Sequence, residues 1–166
     1  MAQGTSLVSA SAEQPGRSSE AKRLGFLVCG NGTVHHLGFV VASIADAAEE
    51  FAASVSAHWD GEITHDPIQR VRVAFLSPSD VRNPVFELIE PASETSPVSK
   101  FLKKGGGLHH VCYEIDDLES GLREARSSGL AIVAAPAPAV AFGGRRIAWV
   151  CSKRRLLLEL LERKSK

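Results

Sequence analysis

The chain has 166 residues, of which 44% are hydrophobic and 23% are charged, and its 19 basic and 19 acidic side chains balance one another. This length and composition suit an ordinary water-soluble protein that forms one domain, or two small halves sharing a core. The zero net charge and the lack of any apolar run near the ~20 residues of a membrane helix exclude nucleic acid and a membrane as expected partners. Three cysteines without disulfide spacing predict reduced thiols in an intracellular, cytoplasmic protein.

Two segments precede the first recurring motif. Residues 1–22 are rich in Ser, Ala, Gly, Glu and Gln. They can bury too little apolar surface to offset the entropy of ordering, so we predict a flexible N-terminal tail, with a transit peptide as the minor alternative. Residues 23–33 contain a short apolar run that stops at Gly30-Asn31-Gly32. This segment is either an extra edge strand or part of a tail that folds over the core.

Residues 34–91 are predicted to form a βαβββ module. The module opens with an alternating apolar strand over residues 34–41, which contains a His-His pair. Ser43 then stands as the N-cap of a helix over residues 44–56, in which apolar side chains recur at helical spacing. Pro91 ends the module. Three strands lie between the helix and Pro91, at residues 62–64, 71–76 and 85–90.

The same order of elements returns after a linker. Residues 92–107 form the linker, with a short helix at 97–102 that starts at a proline. Residues 108–162 then form a second βαβββ module. Its elements are a strand at 108–115, a helix at 117–127, a strand at 130–134, a Pro/Ala loop at 135–142, and strands at 146–150 and 156–161. Because halves of this size cannot each bury a core, we expect them to pair into one α+β fold.

Each module begins with a His-His pair and closes with a strand that carries a glutamate. Because side chains alternate across a strand, the second histidine of each pair points away from the helix. These histidines are His36 and His110, and matching places on the closing strands hold Glu87 and Glu159. A carboxylate inside an apolar strand is costly unless it is paired, and one metal ion would pair both. A lone strand histidine is more often a core residue, so the repetition itself is what favours a metal site.

The histidine before each candidate ligand has the opposite strand phase. His35 and His109 share the face that a helix would cover, so we predict that they pack there or support the ligands. Cys112 has the inward phase but carries little weight as a ligand. Two imidazoles and two carboxylates suit a divalent metal ion, with Co, Mn, Ni, Zn and Fe not distinguished.

Several short phrases carry a family resemblance that covers residues 34–162. They are His35-His36-Leu37-Gly38, Val71-Arg72-Val73-Ala74-Phe75-Leu76, Phe86-Glu87-Leu88-Ile89-Glu90-Pro91, Ser96-Pro97-Val98-Ser99-Lys100-Phe101-Leu102, Gly107-Leu108-His109-His110-Val111, Gly143-Gly144-Arg145-Arg146-Ile147-Ala148-Trp149 and Leu157-Leu158-Glu159-Leu160. This set resembles the vicinal oxygen chelate superfamily, which includes glyoxalase I and bleomycin resistance proteins. It is most similar to the methylmalonyl-CoA epimerases of that superfamily.

The resemblance implies an open, eight-stranded, barrel-like sheet around a metal site, with His36, Glu87, His110 and Glu159 as the metal ligands. It implies a metal-dependent epimerase or isomerase that abstracts the α-proton of a 2-carboxyacyl thioester through a metal-stabilised enolate. Glu159 and then Glu87 are the candidate catalytic carboxylates. The implied partners are a small-molecule substrate, with an acyl-CoA as the candidate, and a second copy of the chain in a homodimer.

Three side chains are candidates for substrate binding. Gln69 and Arg72 lie in the part of the sequence that would contact a polar substrate, and Lys153 could meet the phosphates of CoA. One departure from the family concerns the second base. Some members place a catalytic glutamate on the third strand of the first module, where this chain has Val71, Arg72 and Val73.

Two other functions fit the same motifs. A glyoxalase-type lyase, or another enzyme of the superfamily, would share the ligands but act on a different substrate. A non-catalytic small-molecule binding protein of the same fold is the other alternative. The turn at residues 151–155 is the reason to retain this binding-protein alternative, because the turn is shorter and more basic than the corresponding turn of the epimerases.

Overall fold

The computed structural model describes residues 32–164. The predicted tail at 1–22, and all but the last two residues of the segment at 23–33, lie outside this range. The first module consists of β1 (Thr33–Val40), α1 (Ile44–Ser54), β2 (Ala57–Trp59), β3 (Thr64–Asp66), β4 (Val71–Pro78) and β5 (Val85–Pro91). After the one-turn helix α2 (Ser99–Leu102), the second module consists of β6 (Gly107–Ile115), α3 (Leu118–Ser127), β7 (Ala131–Pro138), β8 (Arg146–Cys151) and β9 (Leu157–Glu162).

The strands of the described range form one open sheet in the order β2-β4-β5-β1-β6-β9-β8-β7, with β3 beside β4. β1 and β6 run antiparallel at the centre, and each has a parallel neighbour from its own module, β5 and β9. The two modules therefore repeat the same local topology on either side of the β1–β6 pairing. This arrangement confirms the predicted α+β fold with an open sheet.

The sheet has nine strands rather than eight because the first module divides one strand position in two. β2 pairs with the end of β4, at Leu76–Pro78, and β3 pairs with its start, at Val71–Val73. Between β2 and β3 the chain turns at Gly61, whose φ is 87°. Helix α1 ends at Ser54, two residues earlier than predicted, because Ser56 has a left-handed backbone with φ of 54°.

In the second module the equivalent position is filled by the single long strand β7. The predicted strand at 130–134 is too short, and the predicted loop at 135–142 is wrong over its first half, because β7 continues to Pro138. The sheet tolerates Pro136 and Pro138 there because β7 is its last strand, and the outer edge needs no N–H donors. A 3₁₀ turn, Val140–Phe142, follows the strand.

The two long helices cover one face of the sheet. Each begins at a side-chain cap: Ser43 accepts the N–H of Asp46 at 3.2 Å, and Asp117 accepts the N–H of Ser120 at 3.0 Å. An apolar cluster lies under each helix, around Leu88 for α1 and around Leu160 for α3. No helix within residues 32–164 is long and apolar enough to cross a membrane. The opposite face of the sheet carries the candidate site.

Candidate metal site and cavity

Four ionisable side chains meet at the centre of the sheet. His36 and His110 come from the central strands β1 and β6, and Glu87 and Glu159 come from their parallel neighbours β5 and β9. All four are buried, with relative exposures of 0%, 2%, 6% and 3% in that order. Burying two carboxylates costs desolvation free energy, which close contacts with the two imidazoles must offset.

The Nε2 atoms and one oxygen of each carboxylate form the centre of the site. His36 Nε2 lies 3.0 Å from His110 Nε2, and 3.2 Å from both Glu87 Oε2 and Glu159 Oε2. His110 Nε2 lies 3.6 Å from Glu87 Oε2 and 3.5 Å from Glu159 Oε2. The two modules contribute equally, and the two carboxylates are placed almost equivalently about the two rings.

These groups shift one another's ionisation. Burial disfavours the imidazolium form of His36, but the carboxylates of Glu87 and Glu159 outweigh it and raise the pKa of His36 to about 10. Burial also opposes ionisation of Glu159, but the neighbouring imidazoles of His110 and His36 hold the pKa of this carboxyl well below its usual range. The centre therefore attracts positive charge, which a proton on His36 supplies when no metal ion is bound.

The ligand atoms of His36, Glu87 and His110 all lie within 4.8 Å of one another, a spacing that fits a divalent metal ion. Ligand atoms about 2.1 Å from one ion lie about 3.0 Å apart at a right angle and about 3.4 Å apart at the tetrahedral angle. The distances of His36 Nε2 and His110 Nε2 to each other and to the carboxylates, 3.0 to 3.6 Å, match this spacing. Glu159 Oε2 is buried and makes no hydrogen bond of acceptable geometry within the described residues. A metal ion would satisfy this oxygen.

The residue two positions after each candidate ligand histidine pairs, across the β1–β6 ladder, with the candidate ligand histidine of the other module. Gly38 lies opposite His110 in the β1–β6 pairing, and Cys112 lies opposite His36. A methyl group on Gly38 would overlap the His110 imidazole, with Nε2 only 2.7 Å away. Glycine therefore makes room for the ring. Burial raises the pKa of the Cys112 thiol, which keeps it protonated and a poor ligand.

Aromatic rings surround the four residues. Phe75 on β4 meets the ring of His36 edge-on at a centroid distance of 5.9 Å. Trp149, at the equivalent place on β8, meets the ring of His110 edge-on at 4.7 Å. Phe142, in the turn after β7, stacks on His36 at 5.7 Å. These rings exclude water, which strengthens electrostatic interactions at the centre.

The histidine before each ligand does not pack under either of the two long helices, α1 and α3. In the β1–β6 pairing His35 and His109 have no partner residue, so each is the extra residue of a β-bulge. Their Nδ1 atoms lie 2.9 Å and 3.2 Å from Nδ1 of the following histidine. The prediction that they share the helix-covered face is wrong, because a bulge interrupts strand alternation. Burial and the adjacent ligand histidine lower the pKa of both, that of His109 to about 4.

A cavity of about 410 Å³ opens beside the four residues, and Glu87, His110 and Glu159 line it. Most of its other lining side chains are apolar, which suits a hydrocarbon group. Among the three predicted substrate contacts, only Gln69 is a lining residue. The lining also includes Val71, Val73, Ile89, Val98, Val133, Ala139, Phe142, Ile147 and Trp149.

Arg72 and Lys153 lie away from the cavity lining. Arg72 alternates with Val71 and Val73, which line the cavity, so its side chain is on the other face of β4. It forms an ion pair with Glu90, whose carboxylate also accepts the N–H of Ile44. Lys153 is exposed in the turn between β8 and β9.

Asp66 is a lining residue that the sequence motifs did not single out. It is 2% exposed. Its Oδ1 accepts the N–H groups of Ile68 and Gln69, both at 2.9 Å, and its Oδ2 accepts the N–H of Val140 at 2.8 Å. The carboxylate thus ties together cavity walls from the two modules. The partner Val140 is 74 residues away along the chain, so no local signal in the sequence reveals the link.

Comparison with known proteins agrees with this geometry. Residues 35–149 match the family model described as the Glyoxalase/Bleomycin resistance protein/Dioxygenase superfamily. The chain belongs to this superfamily. The resemblance of its short phrases is thereby confirmed, and solved epimerase structures share its fold.

Several of the similar proteins are epimerases. The ethylmalonyl-CoA/methylmalonyl-CoA epimerase of Cereibacter sphaeroides is 27% identical over 124 residues, which cover 74% of this chain and 90% of that protein. The crystal structure of methylmalonyl-CoA epimerase from Mycobacterium tuberculosis matches with a TM-score of 0.64 and 27% identity, covering 80% and 88% of the two chains. A variant of the Streptomyces coelicolor methylmalonyl-CoA epimerase, in complex with 2-nitronate-propionyl-CoA, matches with a TM-score of 0.66 and 25% identity, covering 80% and 97%.

Proposed function

We propose that this protein is a metal-dependent epimerase or isomerase that moves the α-proton of a 2-carboxyacyl thioester of the methylmalonyl-CoA type. The observation that carries the proposal is the placement of two carboxylates, one from each module, at the same 3.2 Å distance from His36 Nε2 in a buried N/O donor set. His36, Glu87, His110 and Glu159 would hold the ion. The similarity to epimerases that act on acyl-CoA supports the substrate class.

A divalent ion bound there would supply a Lewis acid that polarises the oxygens of the thioester and carboxylate and makes the α-proton more acidic. Glu159 is the proposed base, because it is buried beside the cavity and the adjacent imidazoles keep it ionised. Epimerisation also requires that a proton return to the opposite face of the α-carbon. Glu87 occupies the equivalent place in the other module and is the proposed second carboxylate.

The cavity lining supports the remaining parts of the proposal. Its apolar walls would surround the acyl group, and Gln69 would contact a polar part of the substrate. Lys153 lies in the turn that leads to the lining residue Leu157, and its contact with CoA phosphates stays a prediction. Arg72 pairs with Glu90, and its contact with a substrate likewise stays a prediction. Association into a homodimer also stays a prediction.

The direct test is isotope exchange. Protein freed of metal with a chelator and reloaded with Co²⁺ or Zn²⁺ is incubated with methylmalonyl-CoA in D₂O, and mass spectrometry follows deuterium at the α-carbon. We expect exchange and interconversion of the two epimers by the loaded protein. The metal-free protein and the His36→Ala variant should show neither.

Two other results would each favour an alternative. A protein that binds the ion but exchanges no α-proton would favour a glyoxalase-type lyase. A protein without metal whose His36→Ala form retains the same small-molecule binding would favour a non-catalytic binding protein.

A further inference from the structure

The two His-His pairs share an unusual construction. In the β1–β6 pairing, Val34 pairs with Tyr113 and His36 pairs with Cys112. His35, between them, therefore has no partner residue on β6. On the other strand the pairing omits His109 in the same way. A bulge places two residues opposite one and turns the extra side chain away from the regular alternation. Each module thus has a bulge one residue before its ligand histidine.

The bulges bring matching nitrogens together. His35 and His36 have ring centroids 5.2 Å apart at an angle of 82°, and His109 and His110 have centroids 5.4 Å apart at 87°. In both pairs the contact is between the two Nδ1 atoms, at 2.9 Å and 3.2 Å. Two histidine pairs on different strands thus repeat the same geometry, so the contact is a feature of the fold rather than an accident of one rotamer.

The direction of these hydrogen bonds follows from the ligand role. An imidazole that offers Nε2 to a metal ion carries its proton on Nδ1. His36 and His110 therefore donate from Nδ1–H, and the preceding histidine accepts at Nδ1 and carries its own proton on Nε2. A ligand imidazole held by such an acceptor keeps its tautomer and its orientation.

Packing holds the accepting rings in place. The His109 ring meets Phe101 at 4.9 Å and Trp149 at 6.1 Å, both edge-on. The His35 ring meets Phe142 edge-on at 5.5 Å. Cys112 is another polar neighbour of the first pair, within 4.8 Å, but a thiol is a weak acceptor.

We propose that His35 and His109 are positioning residues, which the paired bulges aim at Nδ1 of the two ligand histidines so that both Nε2 atoms face one ion. This inference rests on the metal site in the proposed function but not on the identity of the substrate. Of the two roles that the sequence left open for the first histidine of each pair, it assigns support of the ligand, and the bulges supply the geometry.

The test is metal affinity across matched variants. His109→Leu and His35→Leu remove the acceptor but retain bulk, whereas His109→Asn and His35→Asn keep a polar acceptor at a similar distance from the backbone. His58→Leu, on an exposed position of β2, serves as the control. We expect the leucine variants to weaken Co²⁺ binding by about 10- to 100-fold, measured by chelator competition, and the asparagine variants to recover most of it. The control should bind as the wild type does.

A second measurement decides the question if the variants fold poorly. In the zinc-loaded wild type, ¹⁵N NMR of the imidazoles should show His36 and His110 protonated at Nδ1, and His35 and His109 protonated at Nε2. The opposite tautomers, or leucine variants that bind Co²⁺ as tightly as the wild type, would overturn the inference. A wild type that binds no divalent ion would instead remove the proposed function itself.

Discussion

The two modules are nearly identical at the centre of the molecule and differ at its periphery. Each supplies a bulged histidine, a ligand histidine, a glutamate and an aromatic ring on the adjacent strand. Away from the centre, the first module breaks one strand into β2 and β3, whereas the second keeps β7 whole. The candidate metal site therefore depends on what the two modules share, and the cavity walls depend on how they diverge.

The divergence reaches the centre at one pair of positions. Gly38 and Cys112 occupy equivalent places, each opposite the ligand histidine of the other module. Only Gly38 lies where a side chain would strike a ligand ring. Positions 38 and 112 therefore have equivalent places in the strand pairing but different space for a side chain.

The largest effect is expected from amide substitutions of the two carboxylates. Glu159→Gln and Glu87→Gln preserve shape and one ligand oxygen but remove the base. If the two glutamates serve opposite faces of the α-carbon, each variant should lose deuterium exchange by at least about 100-fold with one epimer of the substrate and less with the other. Exchange rates for each purified epimer measure this. An equal loss for both epimers in both variants would mean that the carboxylates act only as ligands.

A smaller effect is expected from substitutions at the divergent pair. Gly38→Ala would press on His110, which cannot move away because Trp149 packs against it. We expect about 1–3 kcal/mol lower stability in urea denaturation and clearly weaker binding of Co²⁺. Cys112→Ala, at the matching position, should leave metal binding unchanged. Equal metal binding by the Gly38→Ala variant and the wild type would contradict the packing argument.

The smallest effect is expected from pH. In the metal-free protein the pKa of His36 rises from 6.5 to about 10 on folding, so its stabilising contribution is complete below pH 6.5 and is lost as the pH rises through 10. The lowered pKa of Glu159 acts at acidic pH, where the free energy of unfolding decreases as the carboxyl group becomes protonated. Chelated protein should lose about 1 kcal/mol for each pH unit between pH 7 and pH 9 in urea denaturation. His36→Gln should flatten this dependence, and an unchanged slope in that variant would assign the proton to another group.

The same proton links pH to metal binding. A divalent ion must displace the proton from His36, so affinity for Co²⁺ should rise with pH over the same range. Calorimetry in buffers of different ionisation enthalpy would count the protons released.

Local sequence patterns were sufficient to predict which face of the sheet carries the four central side chains. Strand alternation has a period of two, so the side that His36, Glu87, His110 and Glu159 face follows from their neighbours in the chain. The helix cap at Ser43 is local in the same sense. Alternation also argues against Arg72 as a cavity residue, because it stands between two valines that line the cavity.

The remaining features depend on contacts between distant parts of the chain. A bulge is a property of two paired strands, so neither His-His phrase could show that its first histidine turns toward its second. The link from Asp66 to Val140 and the stacking of Phe142 on His36 join different modules. The repeat in the amino-acid sequence thus specifies which side chains meet at the centre. The register of β1 on β6 determines how those side chains are held, because that register exists only once the two modules pair.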